Sequence, residues 1–275
     1  MPVTGFYRRF STSTDKGLDV VIGMKWFNLL LFVIYEEKIM KKFYEEWTGR
    51  PLNKAALFDY LKLAVPILVY APIYLYWFIY IEHHTFAHYT VIHTAIDDHI
   101  PFVEAFIIPY FMWFAYVSLT LLFFMFSFDV EDYYKNFFFL ATGMTVFLVI
   151  STLFPNMHQL RPAVMPRDNI FTQLVQFIYN TDTSTNLWPS IHVYNSIGTM
   201  IAVHHSKRFN KVGVIIMDII GWLIILSTVF VKQHSFYDVI TAFIMAIIFY
   251  LFYYHTSVLE NFCMKQEEKV AVRYN

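Results

Sequence analysis

Residues 212–231 read VGVIIMDIIGWLIILSTVFV, twenty residues with one charge, Asp218. A helix of that length rises about 30 Å, the thickness of a bilayer's hydrocarbon core. It runs directly into KQHSFYD, residues 232–238, and then into a second apolar run, 239–255. Two such runs joined by a short polar segment read as a helical hairpin, because backbone groups in lipid must be paired within the chain. Working outward, four more stretches have the same character: 61–81, 106–128, 136–154 and the shorter 190–205. The expected fold is all-α, a polytopic membrane helix bundle with six transmembrane helices.

Composition agrees. Apolar residues make up 57% and charged residues 15%, against about 25% charged in a soluble domain. Disorder is excluded, because low hydrophobicity and high net charge are both missing. Aromatic residues reach 20%, which suits the belts at membrane interfaces. A net charge of −1 argues against a nucleic-acid partner. The one cysteine, Cys263, leaves no internal disulfide and no multi-cysteine metal cage. Arg8 and Arg9 precede a polar segment rather than a short apolar run, so no cleavable signal peptide is expected.

Alternating the loops across six spans collects 17 of the 20 basic residues on one side. The positive-inside rule makes that side cytoplasmic, with both termini there. Arg161, Arg167 and Lys232 are left on the other face. Residues 17–47 contain an apolar run too short to cross, 26–35, followed by lysines and glutamates interleaved with Ile39, Met40, Phe43, Tyr44 and Trp47. That pattern predicts an N-terminal interfacial amphipathic helix. A seventh span is the alternative, and it would put the N-terminus outside. The expected organisation is a cytoplasmic or interfacial segment over 1–60, a membrane domain over 61–257 and a cytoplasmic tail over 258–275.

Three polar motifs fall at the outer ends of the spans: PNMHQLRP at 155–162, DTSTNLWPSIH at 182–192, and KQHSFYD at 232–238. Pro189 and Ser190 are a helix-start signal. The N–H groups that follow, with the positive end of the helix dipole, make an anion site. His192 lies in that first turn. His234 and Asp238 are four apart and share one helical face. A carboxylate on one ring nitrogen leaves the other free as a nucleophile. Arg161 offers a planar fork for phosphate oxygens. Such a set suits phosphoryl transfer without a metal or other cofactor.

These motifs resemble the type-2 phosphatidic acid phosphatase superfamily, the lipid phosphate phosphatases related to vanadium haloperoxidases. The family pattern runs Lys-x6-Arg-Pro, Pro-Ser-Gly-His, Ser-Arg-x5-His-x3-Asp on six spans, and the match covers 61–255. Here Phe154, Ile191 and Thr228 stand where the family has Lys, Gly and Arg. In that respect the chain looks similar to the branch of inositol phosphorylceramide and sphingomyelin synthases. The resemblance implies His234 as nucleophile forming a phosphohistidine, Asp238 as its orienting partner and His192 as general acid. It implies Arg161, Ser190 and the Ile191 N–H as phosphate contacts, with Lys232 as a substitute for a lost cation. The implied substrate is a lipid phosphate, phosphatidate-like or a polyprenyl diphosphate, reached from the outer face of a plasma membrane. Water as acceptor makes a phosphatase, a lipid or polyol hydroxyl makes a phosphotransferase, and a catalytically silent protein with this fold is the third reading.

Three further features are expected to matter less. The loop with Glu82, His83, His84, His88, His93, Asp97, Asp98 and His99 holds metal-ligand residue types but reads as a wet headgroup loop. Asp182 and Asn186 order the second motif or touch a headgroup. Asp218 reads either as a functional intramembrane carboxylate or as a partner for His204 or His205.

Overall fold

A computed structural model describes residues 38–271. The chain divides into two units, Met1–Leu57 and Phe58–Asn275. In the first, residues 38–48 are helical (α1). Lys41 faces Glu45 at 3.9 Å and Lys42 faces Glu46 at 3.7 Å, while Phe43 stacks on Trp47. The amphipathic pattern expected at the end of 17–47 is therefore present over 38–47. The rest of that stretch, and the N-terminus itself, lie outside the described residues.

The second unit is a helical bundle. It holds most of α2 (Lys54–His83), then α3 (Ala95–His99), a 3-10 turn (Glu104–Phe106), α4 (Ile107–Phe126), α5 (Val130–Leu153), α6 (Ile170–Thr181), α7 (Ile191–His205), α8 (Lys211–Phe230), α9 (Phe236–Tyr254) and α10 (Glu260–Ala271). Two two-residue strands, β1 (Thr90–Val91) and β2 (Asn156–Met157), pair in parallel. Among the described residues five helices are long and apolar enough to cross a membrane: α2, the 3-10 turn with α4, α5, α8 and α9. The molecule is a membrane protein by that criterion. Its outward residues agree, since Ile73, Leu119, Ile219 and Ile248 are all more than half exposed.

The fourth expected span, α7, is 15 residues long and would rise about 22 Å. It is the central helix, packed against α4, α5, α8 and α9. Being wrapped by protein, it tolerates the buried polar residues Asn195, Ser196 and Thr199. It is also approached closely. A Cβ at Gly143 of α5 would lie 1.9 Å from the Tyr194 ring, and one at Gly198 would lie 2.5 Å from the Phe139 ring. By contrast, α2 is barely buried. Ring donors tie it to α5: the Tyr133 hydroxyl donates to the Leu63 carbonyl at 2.5 Å, that of Tyr70 bonds the Ala141 carbonyl at 2.8 Å, and the Trp77 N–H bonds Thr152 at 3.0 Å.

Candidate functional site at the start of the central helix

The C-terminal ends of α5 and α8 meet the N-terminal ends of α7 and α9, so the three polar motifs converge. Ser190 caps α7, accepting the Val193 N–H on its hydroxyl at 3.3 Å. The preceding Trp188–Pro189 peptide is cis. Ile191 and His192 occupy the first two helical positions, whose N–H groups have no place in the helix ladder. Ser235 caps α9, and Asp238 returns the bond as a capping box, its Oδ2 accepting the Ser235 N–H at 2.9 Å.

The same oxygen lies 3.3 Å from His234 Nδ1, and His234 Nε2 lies 3.3 Å from His192 Nδ1. The carboxylate accepts, so Nδ1 of His234 carries its proton. In the neutral ring Nε2 then holds a lone pair and takes the Nδ1–H of His192. With Asp238 ionised, Asp238, His234 and His192 form one chain of hydrogen bonds. His192 packs against the rings of Tyr110 and Trp113, centroids 4.8 and 4.3 Å away. Burial holds the His234 pKa down at about 3, the Arg161 charge adding to it and a Leu187 backbone hydrogen bond opposing it. His234 is therefore neutral near pH 7.

His234 is held by its backbone as well. The Thr228 carbonyl accepts the N–H groups of both Gln233 and His234 at 3.0 Å. Thr228 stands where the resembled family has a cation, and here its main chain supports the histidine loop. Gln233, fully buried, is a hub that the sequence reading passed over. Its carbonyl accepts His158 Nε2–H at 2.8 Å, and its Oε1 accepts Arg161 at 2.7 Å. The remaining His158 nitrogen accepts the Leu160 N–H at 3.3 Å. His158 is thus a second buried, neutral histidine, its pKa lowered to about 4 mainly by burial.

Arg161 does reach the site, but its terminal nitrogens are engaged. They donate to the carbonyls of Tyr179 (3.2 Å), Asp182 (2.9 Å) and Thr183 (2.7 Å), besides Gln233. Its plane stacks on Tyr179, and Nε is buried without a partner. Lys232 lies elsewhere: its ammonium donates to the carbonyls of Asp97 at 2.9 Å and Ile100 at 2.6 Å. Asp182 contributes its carbonyl to Arg161, and burial raises its carboxyl pKa to about 6. Asn186 has a left-handed φ of 55° and a buried amide with no partner.

The histidines between 83 and 99 are spread out. His83 and His99 bond carbonyls of their own helices, and His93 pairs with Asp98 at 2.8 Å. Asp97 is different: it is buried and bonded to the α9 cap. At the opposite end of the bundle Asp218 meets His204 at 2.9 Å, as expected. Tyr110, Trp113, His158 and Gln233 carry no recognisable pattern in the sequence, although His158 and Gln233 lie inside the quoted motifs. No protein-family model matches the chain, and no match is found among curated proteins or solved structures.

Proposed function

We propose that the protein is a membrane-embedded lipid phosphate phosphatase that works through a phosphohistidine and needs no metal. The observation that carries this reading is the Asp238–His234–His192 line, with two 3.3 Å contacts, at the start of α7. In the reaction His234 Nε2 attacks phosphorus, a P–N bond forms and the P–O bond to the lipid breaks. His192, protonated once the phosphate anion is bound beside it, gives one proton to the leaving oxygen and is left neutral, and Asp238 stabilises the phosphoimidazolium on His234. Water, deprotonated by His192, then breaks the P–N bond and releases phosphate. The first helical N–H groups of α7, those of Ile191 and His192, stabilise the equatorial oxygens together with the Arg161 charge. With its ammonium on two carbonyls, Lys232 is reassigned below.

In this reading α7, fourth in chain order, completes a set of six spans, and α1 belongs to an interfacial helix. The site faces outward, because the positive-inside rule puts the opposite end in the cytoplasm; the plasma membrane is the expected location and both termini are cytoplasmic. The likeness to the type-2 phosphatidic acid phosphatase superfamily supports it through motif order alone. A site at helix ends, flush with the headgroups, favours a substrate whose tail stays in the bilayer. Transfer to a lipid hydroxyl instead of water uses the same first half-reaction.

The test is purified protein in nanodiscs with a panel of lipid phosphates, following free phosphate and new phospholipid by mass spectrometry. Phosphate release that is lost in His234→Ala supports the phosphatase, and new phospholipid instead of phosphate supports a transferase. Turnover that survives His234→Ala refutes both.

A further inference from the structure

The outer loop 94–100 grips the segment 232–236 at both ends. At one end the Asp97 carboxylate accepts the Ser235 hydroxyl (2.7 Å) and the Phe236 N–H (2.7 Å). It also accepts the N–H and hydroxyl of Thr94, at 2.8 and 3.0 Å, which fixes it within its own loop. At the other end the Lys232 ammonium closes on the carbonyls of Asp97 and Ile100. His234 lies between these two anchors. Ser235 joins the anchors to the site: its hydroxyl donates to Asp97 while its N–H donates to Asp238.

Two features separate this arrangement from ordinary helix capping. First, the carboxylate comes from the short helix α3, 138 residues before the Ser235 it binds. The α9 start already has its capping box without it. Second, Lys232 has a left-handed φ of 54°, a conformation that non-glycine residues rarely adopt. From that conformation its side chain spans back to the loop. Burial opposes the Asp97 charge, but the bonds from Phe236, Ser235 and Thr94 outweigh it and keep its pKa below the usual carboxylate value.

We infer that Asp97 and Lys232 are positioning residues for His234, the two jaws of a clamp that loop 94–100 closes on 232–236. Neither touches the reacting nitrogen. The clamp fixes the backbone on either side of it, so that His234 Nε2 keeps its aim into the site while substrate enters. The kinetic arm of the test rests on the phosphotransfer reading, and the labelling arm does not.

The experiment uses full-length protein in nanodiscs with Asp97→Asn, Lys232→Met and Lys232→Arg. Diethyl pyrocarbonate modification of His234 is followed by peptide mass spectrometry, with the exposed His83 and His88 as standards in the same sample. Loosening the clamp should raise His234 modification about tenfold in Asp97→Asn and Lys232→Met, since opening the loop exposes the ring. His83 and His88 should be unchanged and Lys232→Arg should stay near wild type. On a confirmed substrate kcat should fall about 10²-fold with KM within about twofold, as for a misplaced reacting group. If Asp97→Asn does not yield folded protein, Lys232→Met decides. Wild-type labelling of His234 in the folded variants overturns the clamp. Raised labelling with a protein that turns over nothing retains the clamp and removes the phosphotransfer reading.

Discussion

Acidification should destabilise the fold through His158, and the size of the effect follows from its two hydrogen bonds. Nδ1 accepts the Leu160 N–H and Nε2 donates to the Gln233 carbonyl. A second proton would have to sit on Nδ1, facing another donor, in a ring 2% exposed. The folded pKa accordingly falls to about 4, against about 6.5 in the unfolded chain. A depressed histidine pKa means the unfolded chain binds more protons between those values, so stability drops as pH falls. From pH 7 to pH 5 this one residue removes about 2 kcal/mol. His234 acts in the same direction, and Asp182, with its carboxyl pKa raised, acts against both. Comparing wild type with His158→Gln cancels those shared contributions, and glutamine keeps a donor for the Gln233 carbonyl. The assay is thermal unfolding in detergent at several pH values. The variant should lose less stability between pH 7 and pH 5, by about 2 kcal/mol, or several degrees in Tm. Parallel pH profiles for the two proteins would refute the tautomer assignment and the buried neutral state.

Gly143→Ala should destabilise by about 1–3 kcal/mol through overpacking, because the new methyl meets the Tyr194 ring; an unchanged melting temperature would show that α5 and α7 are not so close. Asp238→Asn should lower turnover by about 10³- to 10⁴-fold with the protein still folded, because an amide can hold the ring but not stabilise the imidazolium; the kinetic measurement is kcat on a confirmed lipid phosphate. Chelators should leave that turnover intact, while loss restored by Zn²⁺ or Mn²⁺ would turn attention to the loop holding His83 to His99.

Much of the fold was legible because hydrophobic length is a strong signal. The runs later found as α2, α4, α5, α8 and α9 stood out by length alone. The short α7 was legible as a brief apolar run with Pro189-Ser190 marking its start, and its length makes sense only in three dimensions, where neighbouring helices replace lipid around it. The amphipathic α6 was missed, since it lies in the connection between motifs where no long apolar run directs attention. At the site the i, i+4 spacing of His234 and Asp238 and the cap at Ser190 could be read from local geometry. The destinations of Arg161 and Lys232 could not. A free guanidinium and one bonded to four oxygens have the same letter, and all but one of the acceptors of these two cations are backbone carbonyls, which sequence does not distinguish. For the same reason Asp97 looked like one carboxylate in a polar loop, although its partners are a hydroxyl and an N–H in a distant segment.

If the proposed phosphotransfer is the reaction, the His192–His234 contact says which part of the site has to move. At 3.3 Å between nitrogens there is no room for a phosphoryl group in line between nucleophile and acid, since a near-attack approach alone needs about 3–3.5 Å. One ring must withdraw. His234 is bonded to Asp238, its backbone is held by Thr228, and its neighbours are fixed by Asp97, His158 and Arg161. Moving it would break several directional bonds at once. His192 instead packs on the faces of Tyr110 and Trp113, contacts over which a ring can slide at small cost compared with breaking a hydrogen bond. The asymmetry follows from what surrounds each ring. A nucleophile gains from being fixed, whereas an acid that must later serve as base in the second half-reaction has to meet first the leaving oxygen and then water. On this reasoning substrate displaces His192, and the hydrogen bond between the histidines in the free protein keeps the His234 lone pair occupied until a phosphate arrives.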